Sequence, residues 1–221
     1  MEPNSLIYRI TSYVCHQQPE RCFIIWGKLL PLCARCTGIY IGFLTSFLFL
    51  WIMSARKKFL HFSKKTSLFS AIFFFVFAAE SFLSLRGMAD TGNNMRFLFG
   101  LLGGCSLGIF SFGLINYSLR ENAFFAKTYF SSRNLLILML VIIMLFFMKL
   151  IFNFSFFFYV WLSLSFMGLI FTYAAVNMTL VVVFWHGKLE GENFKLKLAL
   201  YTAILMAAEF LMLFIFKRKP F

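Results

Sequence analysis

The sequence predicts an all-α fold: a polytopic helical membrane protein with about six transmembrane helices and an interfacial, cysteine-rich N-terminal segment. Three observations carry that prediction. Of 221 residues, 61% are hydrophobic and 13% are charged, whereas a soluble domain carries charge at about a quarter of its positions. The 34 phenylalanines exceed what a soluble core of this size could hide, yet they suit helices facing lipid. Several unbroken apolar runs reach the roughly 17–22 residues that a helix needs to cross about 30 Å of hydrocarbon.

The elements follow in order. Residues 1–36 are too polar and too broken to span, and form the interfacial Cys/His segment. Within it, Leu6, Ile7, Ile10 and Val14 have the spacing of a short amphipathic helix. Gln17-Gln18-Pro19-Glu20 reads as a turn. The apolar piece 23–32 is interrupted by Gly27, Lys28 and Pro31, so it lies in the interface or dips in and returns. Residues 37–216 form the transmembrane bundle, with spans expected near 37–53, 67–85, 95–117, 134–151, 153–185 and 197–216. The fifth is too long for one upright crossing, and is read as one tilted helix or two short segments meeting inside the bilayer. Residues 217–221 are a basic tail. No cleavable leader is evident at the N-terminus.

The net charge of +13 sits in short clusters beside apolar runs, such as Arg56-Lys57-Lys58, Lys64-Lys65 and Lys217-Arg218-Lys219. Such clusters meet anionic headgroups, and no basic face is left for nucleic acid. Lys and Arg divide almost evenly between the two sides, so the positive-inside rule barely orients the chain. The dense loop after the first span places the cysteine side outside.

Four of the five cysteines fall within residues 15–36. Cys33-Ala34-Arg35-Cys36 is a C-x-x-C at the start of a predicted helix, and Cys15-His16 precedes it. Thiolates at that spacing can reach one ion, with Cys15 and His16 or Cys22 completing four ligands of a zinc or iron site. A helix N-terminus beside Arg35 would equally lower a thiol pKa and create a redox pair. A structural disulfide or plain packing is the third reading. Cys105 reads as a small buried apolar residue, and His61 and His186 as solvated or interfacial groups.

Glu80 and Glu209 lie inside spans, where unpaired charge costs several kcal/mol. With six spans, both sit toward the cysteine side, as do Asn93 and Arg96 at the start of the third span, and Arg96 is the expected partner of one of the two, with a buried Glu80–Arg96 packing pair as the bland reading. Gly38 and Gly42 on the first span, and Gly100 and Gly104 on the third, form small-xxx-small stripes that permit close backbone approach. A single polar cavity is therefore expected, containing Cys15, His16, Cys33, Cys36, Glu80, Arg96, and also Asp90, Asn93 and Glu209.

The stretches CHQQPERCF and LPLCARCTGIYIG resemble the signature of small prokaryotic membrane proteins grouped as the domain of unknown function 2085 family. The resemblance rests on Cys15, His16, Gln17, Pro19, Glu20, Arg21, Phe23, Leu30, Pro31, Cys33, Arg35, Cys36, Gly38, Tyr40 and Gly42. A second block resembles Glu80, Asn93, Arg96 and Gly100. Cys22 stands where that family usually has Ser, which favours Cys15, His16, Cys33 and Cys36 as the metal set, and Glu80 stands where Asp is usual. The resemblance covers roughly residues 13–108 and implies a prokaryotic inner (cell) membrane protein, without implying an activity.

The function expected is metal or small-solute transport or handling around a Cys/His metal site. The alternatives are a thiol–disulfide or quinone-linked redox protein using Cys33 and Cys36, and an assembly factor whose metal only staples the N-terminal segment. The expected partners are the lipid bilayer, a small solute or metal, and further copies of the chain in a homo-oligomer. No nucleotide-binding loop, serine elbow or metalloprotease helix motif occurs in the sequence, and no reaction is assigned.

Overall fold

A computed structural model describes residues 6–56, 64–88, 91–118, 132–151, 154–185 and 194–217. His61, Asp90, His186, Lys57-Lys58 and the tail from Arg218 onward lie outside them. The described residues form seven α-helices and one two-stranded sheet: α1 (Leu6–Thr11), β1 (Cys22–Ile25), β2 (Lys28–Cys33), α2 (Ala34–Arg56), α3 (Lys64–Leu85), α4 (Asn93–Ser118), α5 (Ser132–Ile151), α6 (Ser155–Trp185) and α7 (Phe194–Lys217). Among the described residues, α2 to α6 are long and apolar enough to cross a membrane. The chain is a helical membrane protein in contact with lipid. The sixth expected span falls in α7, and the long fifth one is a single unbroken helix, about 46 Å at 1.5 Å per residue.

The sheet is the element that the sequence did not announce. Antiparallel β1 and β2 are joined by Trp26-Gly27, both at positive φ (52° and 69°), as the tightest hairpin turn requires. Gly27 meets that demand freely, but Trp26 adopts it against the usual steric preference, so residue type alone does not announce the turn. The register slips between Cys22 and Ile24, opposite Pro31, which has no N–H to offer a ladder. The Pro31 carbonyl is used instead by Gln17. At the tip, Ile24 and Trp26 are exposed, while Lys28 lies against Tyr159 at the start of α6.

The bundle is organised by α2 and α4, whose contact is the most extensive in the fold. A Cβ on Gly38 would overlap the Phe97 carbonyl oxygen, and one on Gly42 the Leu101 carbonyl oxygen. From the other helix, Gly100 faces the Arg35 carbonyl and Gly104 that of Ile39. Contact positions rise together along both helices, so the pair is parallel and both start on the cysteine side. Two further glycines, absent from the sequence reading, extend the scheme. Gly103 faces the Phe77 ring of α3, and Gly168 brings α6 onto the Tyr40 backbone of α2. With 61% of its span buried, against 17% for α3 and for α5, α4 is the central helix.

A three-cysteine cluster under a cationic cavity

Cys33 is the last residue of β2, and α2 begins at the next residue with no loop between them. Its sulfur occupies the N-cap position and accepts from the Cys36 N–H at 3.5 Å, as a capping side chain does from the third helical residue. Both cysteines thus sit at the positive end of a helix dipole. Cys15 arrives from the other direction, in the loop leaving α1. That loop is pinned by Gln17, a non-glycine residue at φ 51°. Its amide nitrogen donates to Thr11 Oγ1 (2.8 Å), the Pro31 carbonyl (2.8 Å) and the Tyr8 carbonyl (3.0 Å). The Tyr8 hydroxyl donates to the Leu29 carbonyl, so α1 is locked onto β2.

The result is a group of three sulfurs, Cys15, Cys33 and Cys36, all within 4.8 Å of one another. The cysteines of the described chain are free thiols. Cys15 also accepts from the Cys33 N–H at 3.2 Å. Hydrogen bonds from the Cys33 and Cys36 thiols, more than these backbone N–H groups, hold the Cys15 thiol far below the usual thiol range against the opposing effect of burial. The Cys33 thiol moves up, chiefly because it donates to Cys15. Cys15 is the member of the group that ionises first.

The other sequence-derived candidates separate from this cluster. His16 is exposed on the wall of the adjoining cavity, and its ring nitrogens lie outside the 4.8 Å group. Cys22 pairs with Cys33 across the sheet but is buried at 3% exposure. Burial, then the charge of Cys15, pushes its thiol up to about 12.

Glu80 corrects one expectation. Its partner is Arg35, with Nη2 to Oε1 at 2.8 Å, and the Thr91 hydroxyl donates to the same oxygen at 2.6 Å. The reason is geometric. Arg35 in the first turn of α2 stands within side-chain reach of Glu80 on α3, while Arg96, buried at 7% exposure, lines the cavity. A signal was available, because Arg35 lies one turn before Gly38 on the contacting face. Asn93 corrects another. It sits at the start of α4 and donates to the carbonyls of Glu20 (3.0 Å) and Cys22 (3.3 Å), tying hairpin to bundle rather than joining Glu80. Glu209 is elsewhere again, accepting from Asn177 Nδ2 at 2.8 Å between α6 and α7.

Over the cluster opens a cavity of about 350 Å³. Cys15, Cys33 and Cys36 contribute to its lining, and Arg21, Arg35 and Arg96 stand around it with His16. A tetrahedral zinc or iron would need sulfurs about 3.8 Å apart, from metal–sulfur bonds of about 2.3 Å, so three sulfurs already within 4.8 Å fit such an ion with a small contraction. Three ligands would leave one position facing the cavity.

Fold and site together define a helical membrane protein carrying a three-thiol cluster at one end of its bundle. The chain belongs to the family described as predicted membrane protein (DUF2085), which matches residues 15–110. An uncharacterized protein of Methanothermobacter thermautotrophicus is 33% identical over 97 residues, covering 44% of this chain and 83% of that protein. A second relative, uncharacterized protein MJ1492 of Methanocaldococcus jannaschii, is 33% identical over 98 residues, 44% of this chain and 61% of the relative. No solved structure matches.

Proposed function

We propose that the chain is a cell-membrane metal-handling protein that binds one zinc or iron ion through Cys15, Cys33 and Cys36, with the fourth position open to the cavity that His16 lines. The observation that carries this reading is the convergence of three sulfurs from separate elements, the α1 loop, the end of β2 and the first turn of α2, on one point. Packing alone would not require three thiols to meet. Their exit onto a cavity at the end of a membrane bundle supports acquisition or release of the metal, or of a small solute beside it, at the membrane surface. The archaeal relatives support a prokaryotic cell membrane as its place.

Metal analysis of protein purified without chelator, with free-thiol counting, tests the reading. About one zinc or iron per chain is expected, lost in Cys33→Ser and in Cys36→Ser and kept in Cys22→Ser and Cys105→Ser. Absence of metal together with a reducible Cys33–Cys36 bond would overturn it in favour of thiol–disulfide chemistry. Flux measurements on Glu80→Gln in vesicles then separate handling from stapling. Retained metal with lost flux belongs to transport, while unchanged flux in both the Glu80 and Cys33 variants belongs to a staple.

A further inference from the structure

We propose that the cavity above the three sulfurs is a binding site for a small oxyanion of the phosphate class, held by the guanidinium forks of Arg21, Arg35 and Arg96. The inference deepens the metal-site reading and rests on it for the floor of the cavity.

Three arginines from three elements line the cavity. Arg21 comes from the short 3-10 turn Pro19–Arg21, Arg35 from the first turn of α2, and Arg96 from the first turn of α4. Among the described residues no carboxylate lines the cavity. Glu80 engages Arg35 through one nitrogen, and Arg35 Nε is buried without a partner among the described residues. A guanidinium carries five N–H donors in a rigid fork, so one carboxylate oxygen does not saturate it. Glu80 thereby aims the Arg35 plane and leaves donors for a second acceptor.

Arginine rather than lysine is the side chain suited to oxygen pairs on phosphate and carboxylate. The size agrees, since about 350 Å³ admits a tetrahedral oxyanion with its first waters or a lipid phosphate, and is small for a nucleotide. An oxyanion held there would stand beside the fourth position of a metal bound to Cys15, Cys33 and Cys36.

The test uses the full chain in phosphatidylcholine nanodiscs, titrated calorimetrically with inorganic phosphate, with metal content measured on the same sample. Saturable binding of one phosphate per chain is expected. Arg21→Gln should weaken it by about tenfold, the effect of losing a charge-assisted contact, and Arg96→Lys should weaken it as well. Both variants should keep the wild-type metal content, and Arg21→Gln the wild-type melting temperature. In nanodiscs that include phosphatidic acid, competition with inorganic phosphate would identify a lipid headgroup as the natural oxyanion, and unchanged affinity would identify a free one. Wild-type protein that neither binds phosphate nor is stabilised by phosphatidic acid, or folded Arg21→Gln and Arg96→Lys variants that bind like wild type, would overturn the proposal. Full metal without phosphate binding removes this inference alone. Arginine-dependent phosphate binding without metal removes the metal reading alone.

Discussion

The hairpin with α2–α4 is tied together by several side-chain bonds between elements, whereas the hydroxyls of α6 bond within their own helix and Asn177–Glu209 joins α6 to α7. In the first region the bonds run between elements. Arg35 reaches Glu80, Asn93 reaches Glu20 and Cys22, and Gln17 reaches Pro31. In α6 the hydroxyls fold back on their own helix, with Ser165 donating to the Trp161 carbonyl, Thr172 to Gly168 and Thr179 to Ala175, each at 2.7 Å. Self-satisfied hydroxyls place few demands on a neighbour. Cross-element bonds demand particular side chains at particular positions. The family match over residues 15–110 falls on the region of the second kind.

The strongest way to break this contrast is at the α2–α4 contact. Gly104→Leu would drive a side chain into the Ile39 carbonyl, a backbone atom unable to move aside. The expected cost is about 3 kcal/mol or more, enough to prevent recovery of folded protein in detergent. Gly92→Ala is the control, because nothing lies within 4 Å of its added Cβ, and it should melt like wild type.

The two intramembrane glutamates sharpen the comparison. Glu80→Gln leaves the Arg35 charge without its carboxylate at a site where Glu80 is 7% exposed, and breaking such a pair costs about 3 kcal/mol. Glu209→Gln keeps a carbonyl that can accept from Asn177, and its expected cost is about 0.6 kcal/mol. Thermal unfolding of the two variants side by side decides the point, and equal losses would erase the distinction between the regions.

Within the first region, thiol reactivity separates the cluster from its neighbour. Only thiolates alkylate readily. The Cys15 pKa is lowered by the Cys33 and Cys36 hydrogen bonds, so in metal-free protein its labelling by iodoacetamide should stay nearly flat as pH rises from about 6 to 9. The Cys22 pKa is raised to about 12 by burial, so its labelling should climb about tenfold per pH unit across the same range. At neutral pH a preference for Cys15 of about a hundredfold or more is expected, read by mass spectrometry of the alkylated peptides.

Much of this architecture was legible in the sequence, for reasons visible in particular residues. Span length and apolarity are sums over many positions, so the helices emerge without knowledge of packing. Gly38, Gly42, Gly100 and Gly104 announce a close contact because their spacing is periodic. The hairpin was not legible, because its turn rests on Trp26 in a conformation that its residue type disfavours. The pairing of Glu80 was not legible because two arginines, Arg35 and Arg96, lie in the first turns of neighbouring helices, and residue type alone does not distinguish them. His16 stands beside Cys15 in sequence, yet the turn set by Gln17 directs the two side chains to different places. Adjacency along the chain carries no information about direction at a bend.

The smallest expected effect probes the contrast where it is cleanest. Asn93→Ala removes two bonds from the start of α4 to the Glu20 and Cys22 carbonyls, and about 1 kcal/mol of stability should go with them. Thr179→Val removes a bond of similar length, 2.7 Å, but the Ala175 carbonyl that accepts it still has the helical N–H of Thr179 within reach. Loss of such a back-bond should change stability by no more than about 0.5 kcal/mol. Denaturation of the two variants in the same micelles measures the difference. A Thr179→Val loss as large as that of Asn93→Ala would mean that the later helices depend on their hydroxyls after all, and the division drawn at residue 110 would then need a cause other than polar bonding.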